Sequence, residues 1–279
     1  MSRSSDQVNL EDVDLERTQR EWVRYIAQGI SVPERLDGVR QEVVDSWRRS
    51  QQAGARPFSG RLRRADRRET DRLLRNNSLL IDVAFPYLKE FSTAMGNRPC
   101  QITLAEASGI QLRRAGTDLE LVRMTEQRQM VEGTDFSESS AGTNGIGTAL
   151  ALQKPVVILG PEHYHSMYQG LVCCAAPLRD GEKVVGCINI TAPLETYDSS
   201  MMGMITVATH AIATELELRR SRGGIRTLWE SEGDALAAAM TRTGGDVSQA
   251  AVELDVPVST LYRKLRQHGI STKAYRARG

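Results

Sequence analysis

The residues best suited to chemistry lie between positions 137 and 191. Glu162-His163-Tyr164-His165 puts two imidazoles on one stretch of chain, and imidazoles ligate metals, relay protons and contact small molecules. A metal would need a third ligand that the spacing does not supply, so small-molecule contact and plain loop packing stand beside that reading. Cys173-Cys174 and Cys187 follow, and with Cys100 they form no C-x-x-C pair. No neighbouring basic residue depresses a thiol pKa, so packing, a cavity floor and a redox pair are the three readings. Ser139 and Ser140 lack the G-x-S-x-G elbow of a hydrolase nucleophile. Gly142, Gly145 and Gly147 run G-x-x-G-x-G after no strongly apolar strand, the pattern of a turn opening a helix and not of a dinucleotide site. No catalytic constellation, cofactor or metal site is expected.

The elements that must position these residues follow from periodicity. Positions 8–50 predict two helices with a break at Ser31-Val32-Pro33, and Gln51–Arg68 reads as a basic linker. A helix over Leu79–Met95 leads into short strands at Gln101–Ala105 and Ile110–Arg114. A second helix follows Thr143-Asn144, which can cap it, and strands recur at Pro155–Leu159, Leu171–Leu178 and Lys183–Thr191. Hairpins without crossover helices predict an antiparallel sheet flanked by helices, an α+β class. If Asp180-Gly181 centres the last hairpin, Cys174 faces Cys187 and shares a face with Asn189, while Cys173 points away.

From Asp198 to Arg220 a long helix carries Met201, Ile205, Ala208, Ile212 and Leu216 as a narrow apolar stripe. The stripe packs on its own sheet or joins two subunits; the second reading is the expectation tested below. Ser221–Thr227 breaks the pattern with two glycines. Leu228–Arg242, a short helix after Asp246, a turn at Asp255-Val256-Pro257 and Val258–His268 lay out a helix-turn-helix. Leu261 and Leu265 point inward, leaving Ser259, Thr260, Tyr262, Arg263, Lys264 and Arg266 for DNA. Arg263 is the base-reading candidate, Lys264 and Arg266 the phosphate candidates. Val258–Gly279 holds six Lys or Arg and no acid.

Two segments carry a family likeness. GGDVSQAAVELDVPVSTLYRKLRQHGI resembles the Fis-type helix-turn-helix of bacterial enhancer-binding activators through Ala250-Ala251, Leu254, Thr260–Leu265 and Gly269, departing at Asp246, Asp255 and Pro257-Val258. SSAGTNGIGTALAL, the Glu162-His163 pair and the Cys-x-A-A-P hairpin resemble the GAF sensory domain of acetoin-catabolism-type sigma-54 activators, and VRQEVVDSWRRSQQAGARP resembles the Ser-Trp-x-Arg-Ser helix that opens those proteins. The likeness spans about Val39–Thr191 and Gly245–Ile270. The family's central ATPase has no place here: no G-x-x-x-x-G-K-[ST] exists, and only ten positions separate Leu218 from Leu228. The resemblance implies one cavity framed by Asn144, His163, Tyr168, Cys174 and Asn189.

Composition bounds the rest. The 279 residues are 40% hydrophobic and 25% charged, a globular balance that excludes collagen, coiled-coil rods and full disorder. Net charge is +1, split as −4 over residues 1–218 and +5 beyond, so positive charge gathers in the helical C-terminal part. No apolar run reaches a membrane span and the N-terminus lacks a signal-peptide core, which predicts a cytoplasmic protein that does not enter membranes. The expected organisation is a helical region and linker (1–70), a GAF-like sensor (71–197), a dimerisation helix (198–220), a hinge (221–227) and a DNA-binding domain (228–279). The expected partners are double-stranded DNA, a small-molecule effector and a second copy of the chain. An interaction protein that pairs with a full-length activator, and a thiol-based GAF-fold redox enzyme, are the alternatives.

Overall fold

The computed structural model describes residues 13–272 other than 59, 60, 97, 117 and 222–227, together with Tyr275. The chain divides into two compact units, Met1–Arg219 and Arg220–Gly279.

In the first unit, helix α1 (Leu15–Glu21) runs into a π-helical turn at Trp22–Ala27, and α2 (Gln41–Gln52) follows. Helices α3 (Arg67–Asn76) and α4 (Ser78–Ala94) precede strands β1 (Gln101–Glu106) and β2 (Gln111–Gly116). Next come α5 (Leu119–Gln127), the short α6 (Glu138–Ala141), α7 (Gly145–Leu152), β3 (Val156–Leu159), β4 (Leu171–Asp180), β5 (Lys183–Pro193) and α8 (Ser200–Ser221). The strands form one antiparallel sheet in the order β2-β1-β5-β4-β3. The mixed class expected from the hairpin pattern is therefore what forms. Three helices were not expected: α3, α5 and the single-turn α6. α3 buries no side chain and α5 buries only Leu121 and Thr125, so both are short helices that contribute little to the core; each is started by an aspartate cap, Asp66 accepting from Glu69 N–H and Asp118 from Leu121 N–H.

The sheet has two unlike faces. One carries Ile102, Leu104, Leu112, Val172, Cys174, Ile188 and Ile190 into a single apolar cluster with Val83 and Leu88 of α4. That cluster also takes Met201, Ile205, Ile212 and Leu216 of α8, and Ala208 is buried too. The expected dimerisation stripe is thus corrected: these side chains are spent inside their own subunit, because an apolar sheet face needs a helix to cover it. The outward side of α8 shows Gly203, Val207 (65% exposed), His210 and Thr214 instead. The opposite sheet face packs Ile146 and Ala149 of α7 with Phe136, Tyr168, Cys173 and Cys187, and it also carries buried Gln101, Thr103, Gln111, Asn189 and Thr191.

The second unit comprises α9 (Leu228–Arg242), α10 (Val247–Glu253) and α11 (Val258–Gln267) around Leu236, Ala239, Met240, Val247, Ala250, Leu261 and Leu265. Gly245 ends α9 at φ 87°, Asp246 caps α10 by accepting from Ser248 and Gln249 N–H, and Pro257 precedes α11. Asp255, where the resembled motif has glycine, sits in the left-handed region at φ 50°.

Candidate functional site

A narrow cavity of about 10 Å³, room for about one water molecule, lies on the polar side of the sheet. Its walls are Met130, Phe136, Asn144, Gly145, Ile146, His163, Tyr168, Cys173 and Asn189. Four of the five residues expected to frame one cavity therefore meet: Asn144, His163, Tyr168 and Asn189. Asn144 is the N-cap of α7, its Oδ1 accepting from Gly147 N–H at 3.0 Å and its Nδ2 donating to the carbonyls of Phe136 and Gly142 at 2.8 and 2.7 Å. Its polar atoms are consumed in building the turn. Gly145 and Gly147 are required by close approach: a Cβ on Gly145 would stand 2.3 Å from Asn189 Oδ1, and one on Gly147 would stand 2.4 Å from Phe136 O. The Tyr168 hydroxyl donates to the Arg128 carbonyl at 3.1 Å.

His163 is fully buried, and its Nδ1 lies 3.0 Å from the Gly160 carbonyl. A carbonyl only accepts, so Nδ1 carries the proton and Nε2 is a bare acceptor in the neutral ring. Burial lowers the imidazole pKa to about 4 against the Gly160 bond, which favours the proton, and the nearby Arg128 charge lowers it further. His165 is turned to a structural use, accepting from Met167 N–H at 3.3 Å and packing with Tyr168. Among the described residues no group of three or more His, Cys, Asp and Glu is placed to hold a metal.

Cys174 does not reach the cavity, and the reason is register. Asp180 pairs with Lys183, placing Gly181-Glu182 at the turn, and a bulge between Leu178 and Arg179 shifts the ladder by one. Beyond the bulge Cys174 opposes Ile190, on the apolar face, and Cys173 opposes Thr191 beside Asn189. A one-residue shift inverts which side chains face each side. Cys173 replaces Cys174 in the cavity, and Cys187 shares its face. All four thiols are buried, and burial pushes their pKa values up, that of Cys100 to about 11.

The cavity is backed by a strap of N-terminal helices that sequence reasoning did not connect to it. Glu162, wholly buried, takes Arg40 in a two-pronged pair at 2.7 and 2.5 Å and accepts from Leu159 N–H at 2.7 Å. Trp47 Nε1 donates to the Glu162 carbonyl at 2.7 Å, and Trp22 Nε1 to the Tyr164 carbonyl at 3.1 Å. Ser46 and Arg49 hold Glu138 just ahead of the glycine turn. Glu162 and His163 thus divide their work: one anchors the loop to α2, the other faces the cavity. A buried glutamate that must find a cation was the available signal.

In the second unit the outer side of α11 exposes Ser259, Tyr262, Arg263 and Arg266, with Thr260 half-buried. Ser259, Tyr262, Arg263 and Arg266 line a surface groove that continues along Gly269–Thr272. Lys264 departs from expectation: its ammonium pairs with Glu232 of α9, which also meets His268 Nε2 at 2.9 Å. These two partners hold the Glu232 carboxyl below its usual range, Lys264 most strongly. Lys264 is thus an internal tie and not a free phosphate contact.

One unit is an antiparallel sheet with a cavity on its polar face and the other a compact helix-turn-helix, the architecture of a GAF-like module beside a Fis-type module. Over residues 15–214 the chain belongs to the family described as the MimR N-terminal domain, and residues 227–268 match the Fis family of bacterial regulatory proteins. The propane 2-monooxygenase operon transcriptional activator MimR of Mycolicibacterium smegmatis is 27% identical over 251 residues, 89% of this chain and 40% of that protein. The acetoin dehydrogenase operon transcriptional activator AcoR of Bacillus subtilis is 28% identical over 242 residues, 86% and 39% of the two chains. This chain therefore spans about two fifths of the length of the curated relatives it matches. Only residues 215–226 separate its two matched regions, which leaves no room between them for an ATPase domain. The solved E. coli DhaR(N)-DhaL complex shares the fold with TM-score 0.63 at 17% identity, covering 66% of this chain and 63% of that one.

Proposed function

We propose that this chain is a DNA-binding transcription regulator whose GAF-like unit senses a small molecule, and that it is not an enzyme. The observation that carries the reading is the outer face of α11, where Ser259, Tyr262, Arg263 and Arg266 stand exposed on a helix without an acidic residue. The named activity of MimR and AcoR as transcriptional activators supports it. The cavity lining, mostly apolar with a few convergent polar groups, is of the kind that small-ligand sites use, and the walls must part to admit a ligand larger than water. High thiol pKa values and burial speak against a cysteine nucleophile or redox couple. Among the described residues no helix is long and apolar enough to cross a membrane, and the proposed place of action is the cytoplasm, where DNA is met.

The domain plan proposed is a helical strap and linker (1–70), a sensor (71–197), a covering helix (198–220) and a DNA-binding domain (228–279); the expected hinge at 221–227 lies almost wholly outside the described residues. The DNA-bound form is proposed to be a homodimer, since one small helix-turn-helix offers few phosphate contacts. The pairing surface is one other than the buried α8 stripe.

The test is selection of bound duplexes from a random library, followed by anisotropy on the selected and a random duplex across a salt series. Wild type prefers the selected duplex, and Arg263→Ala loses about 1–3 kcal/mol of that preference per half-site. If no sequence is enriched and Arg263→Ala changes neither affinity, the DNA-binding reading falls.

A further inference from the structure

Resting on the proposed DNA-binding role of α11, one base contact can be assigned from a residue that the core of the second unit does not use. Val258 opens α11 directly after Pro257 and is 40% exposed. Among the described residues it takes no part in the apolar cluster of this unit, although Val256, two positions earlier, packs against that cluster. A branched apolar side chain therefore stands in water at the start of the helix that a helix-turn-helix sends into the major groove, where the first residues of the recognition helix meet base edges. At about 100° per residue, Val258 shares an arc of about 140° with Ser259, Tyr262, Arg263 and Arg266, while Leu261 and Leu265 lie outside it, in the core. Tyr262, one turn further on and also exposed, continues the same edge of the helix.

We infer that Val258 determines specificity by reading the C5-methyl group of one thymine in each half-site. Valine neither donates nor accepts a hydrogen bond, so it distinguishes base pairs only by what its methyl groups cover. Over the major-groove edge of guanine or adenine it strips water from N7 and from O6 or N6 without offering a partner. Over cytosine it covers the N4 amine and finds no methyl group. Thymine alone among the four bases presents an apolar group in the major groove, and contact there removes both partners from water. The outer face of α11 thus divides its work: Arg263 suits guanine through paired donors, and Val258 suits thymine in the same half-site.

The experiment uses the full chain and a duplex selected from a random library, with each thymine replaced in turn by deoxyuridine. That replacement keeps every hydrogen-bonding group of the base and removes only the methyl. Anisotropy should show one thymine per half-site at which it weakens wild-type binding about fourfold, the worth of one buried methyl group. In Val258→Ser the response at that thymine falls to under about 1.5-fold. Val252→Ser, which changes an exposed valine on α10, keeps the full response. The thymine assignment is overturned, with the DNA-binding reading left standing, if every thymine of a selected duplex tolerates the replacement or if the sensitive thymine stays sensitive in Val258→Ser. Equal loss of the response in Val252→Ser overturns it in the same way. A library that yields no enriched duplex overturns both readings.

Discussion

Replacing His163 by glutamine tests the neutral, buried imidazole through the pH dependence of stability. The folded pKa is about 4 and the usual value is 6.5, so between these limits the unfolded chain binds the proton that the folded one refuses. Stability from this residue is therefore complete above pH 6.5, falls as pH drops through the window, and is fully lost below the folded value. Between about pH 7.5 and about pH 5 the loss comes to about 2 kcal/mol. Glutamine does not titrate, and at the higher pH its variant loses one buried hydrogen bond, to the Gly160 carbonyl, worth about 1 kcal/mol. The two stability curves should cross: wild type more stable by about 1 kcal/mol at pH 7.5, the variant by about 1 kcal/mol at pH 5. Urea unfolding at both pH values measures this, and the titration of surface carboxylates cancels between the two proteins. A stability difference that does not change with pH would refute the neutral-ring argument, and with it the bare Nε2 acceptor in the cavity.

Other expectations follow from the same geometry. Arg40→Ala strands the wholly buried Glu162 carboxylate and should cost about 3–5 kcal/mol, read as a large fall in the first unit's unfolding midpoint; a fall equivalent to under about 1 kcal/mol would contradict the strap. Asp255→Gly relieves a non-glycine residue at φ 50° and should stabilise the second unit by about 0.5–1 kcal/mol in thermal unfolding, with a lower midpoint as the refuting result. Lys264→Ala should lower that unit's midpoint while leaving the salt slope of DNA binding unchanged, because its charge is held by Glu232; a slope reduced by about one would return it to the phosphate contacts. Ile205→Asp, placing a carboxylate in the core, should unfold the first unit by circular dichroism and not release folded monomers.

Local rules made much of the molecule legible. The Asp246 cap, the Gly244-Gly245 stop and the inward Leu261 and Leu265 laid out the helix-turn-helix, since caps, glycines and 3.6-residue periodicity act within a few residues. The antiparallel α+β class followed from hairpins whose strands are neighbours in sequence. The glycine turn and its Asn144 cap were equally local. Tertiary structure decided what depends on partners far along the chain. Glu162 finds Arg40 across 122 positions, and no spacing rule links the two. One bulge between Leu178 and Arg179 exchanged Cys174 for Cys173 in the cavity, because side-chain direction alternates with period two and a single added residue inverts it. The α8 stripe was visible in sequence, yet its partner was not: an apolar helical face fits a second subunit or its own sheet equally well. Here the apolar side of the sheet claimed it, for that face would otherwise stand open to water.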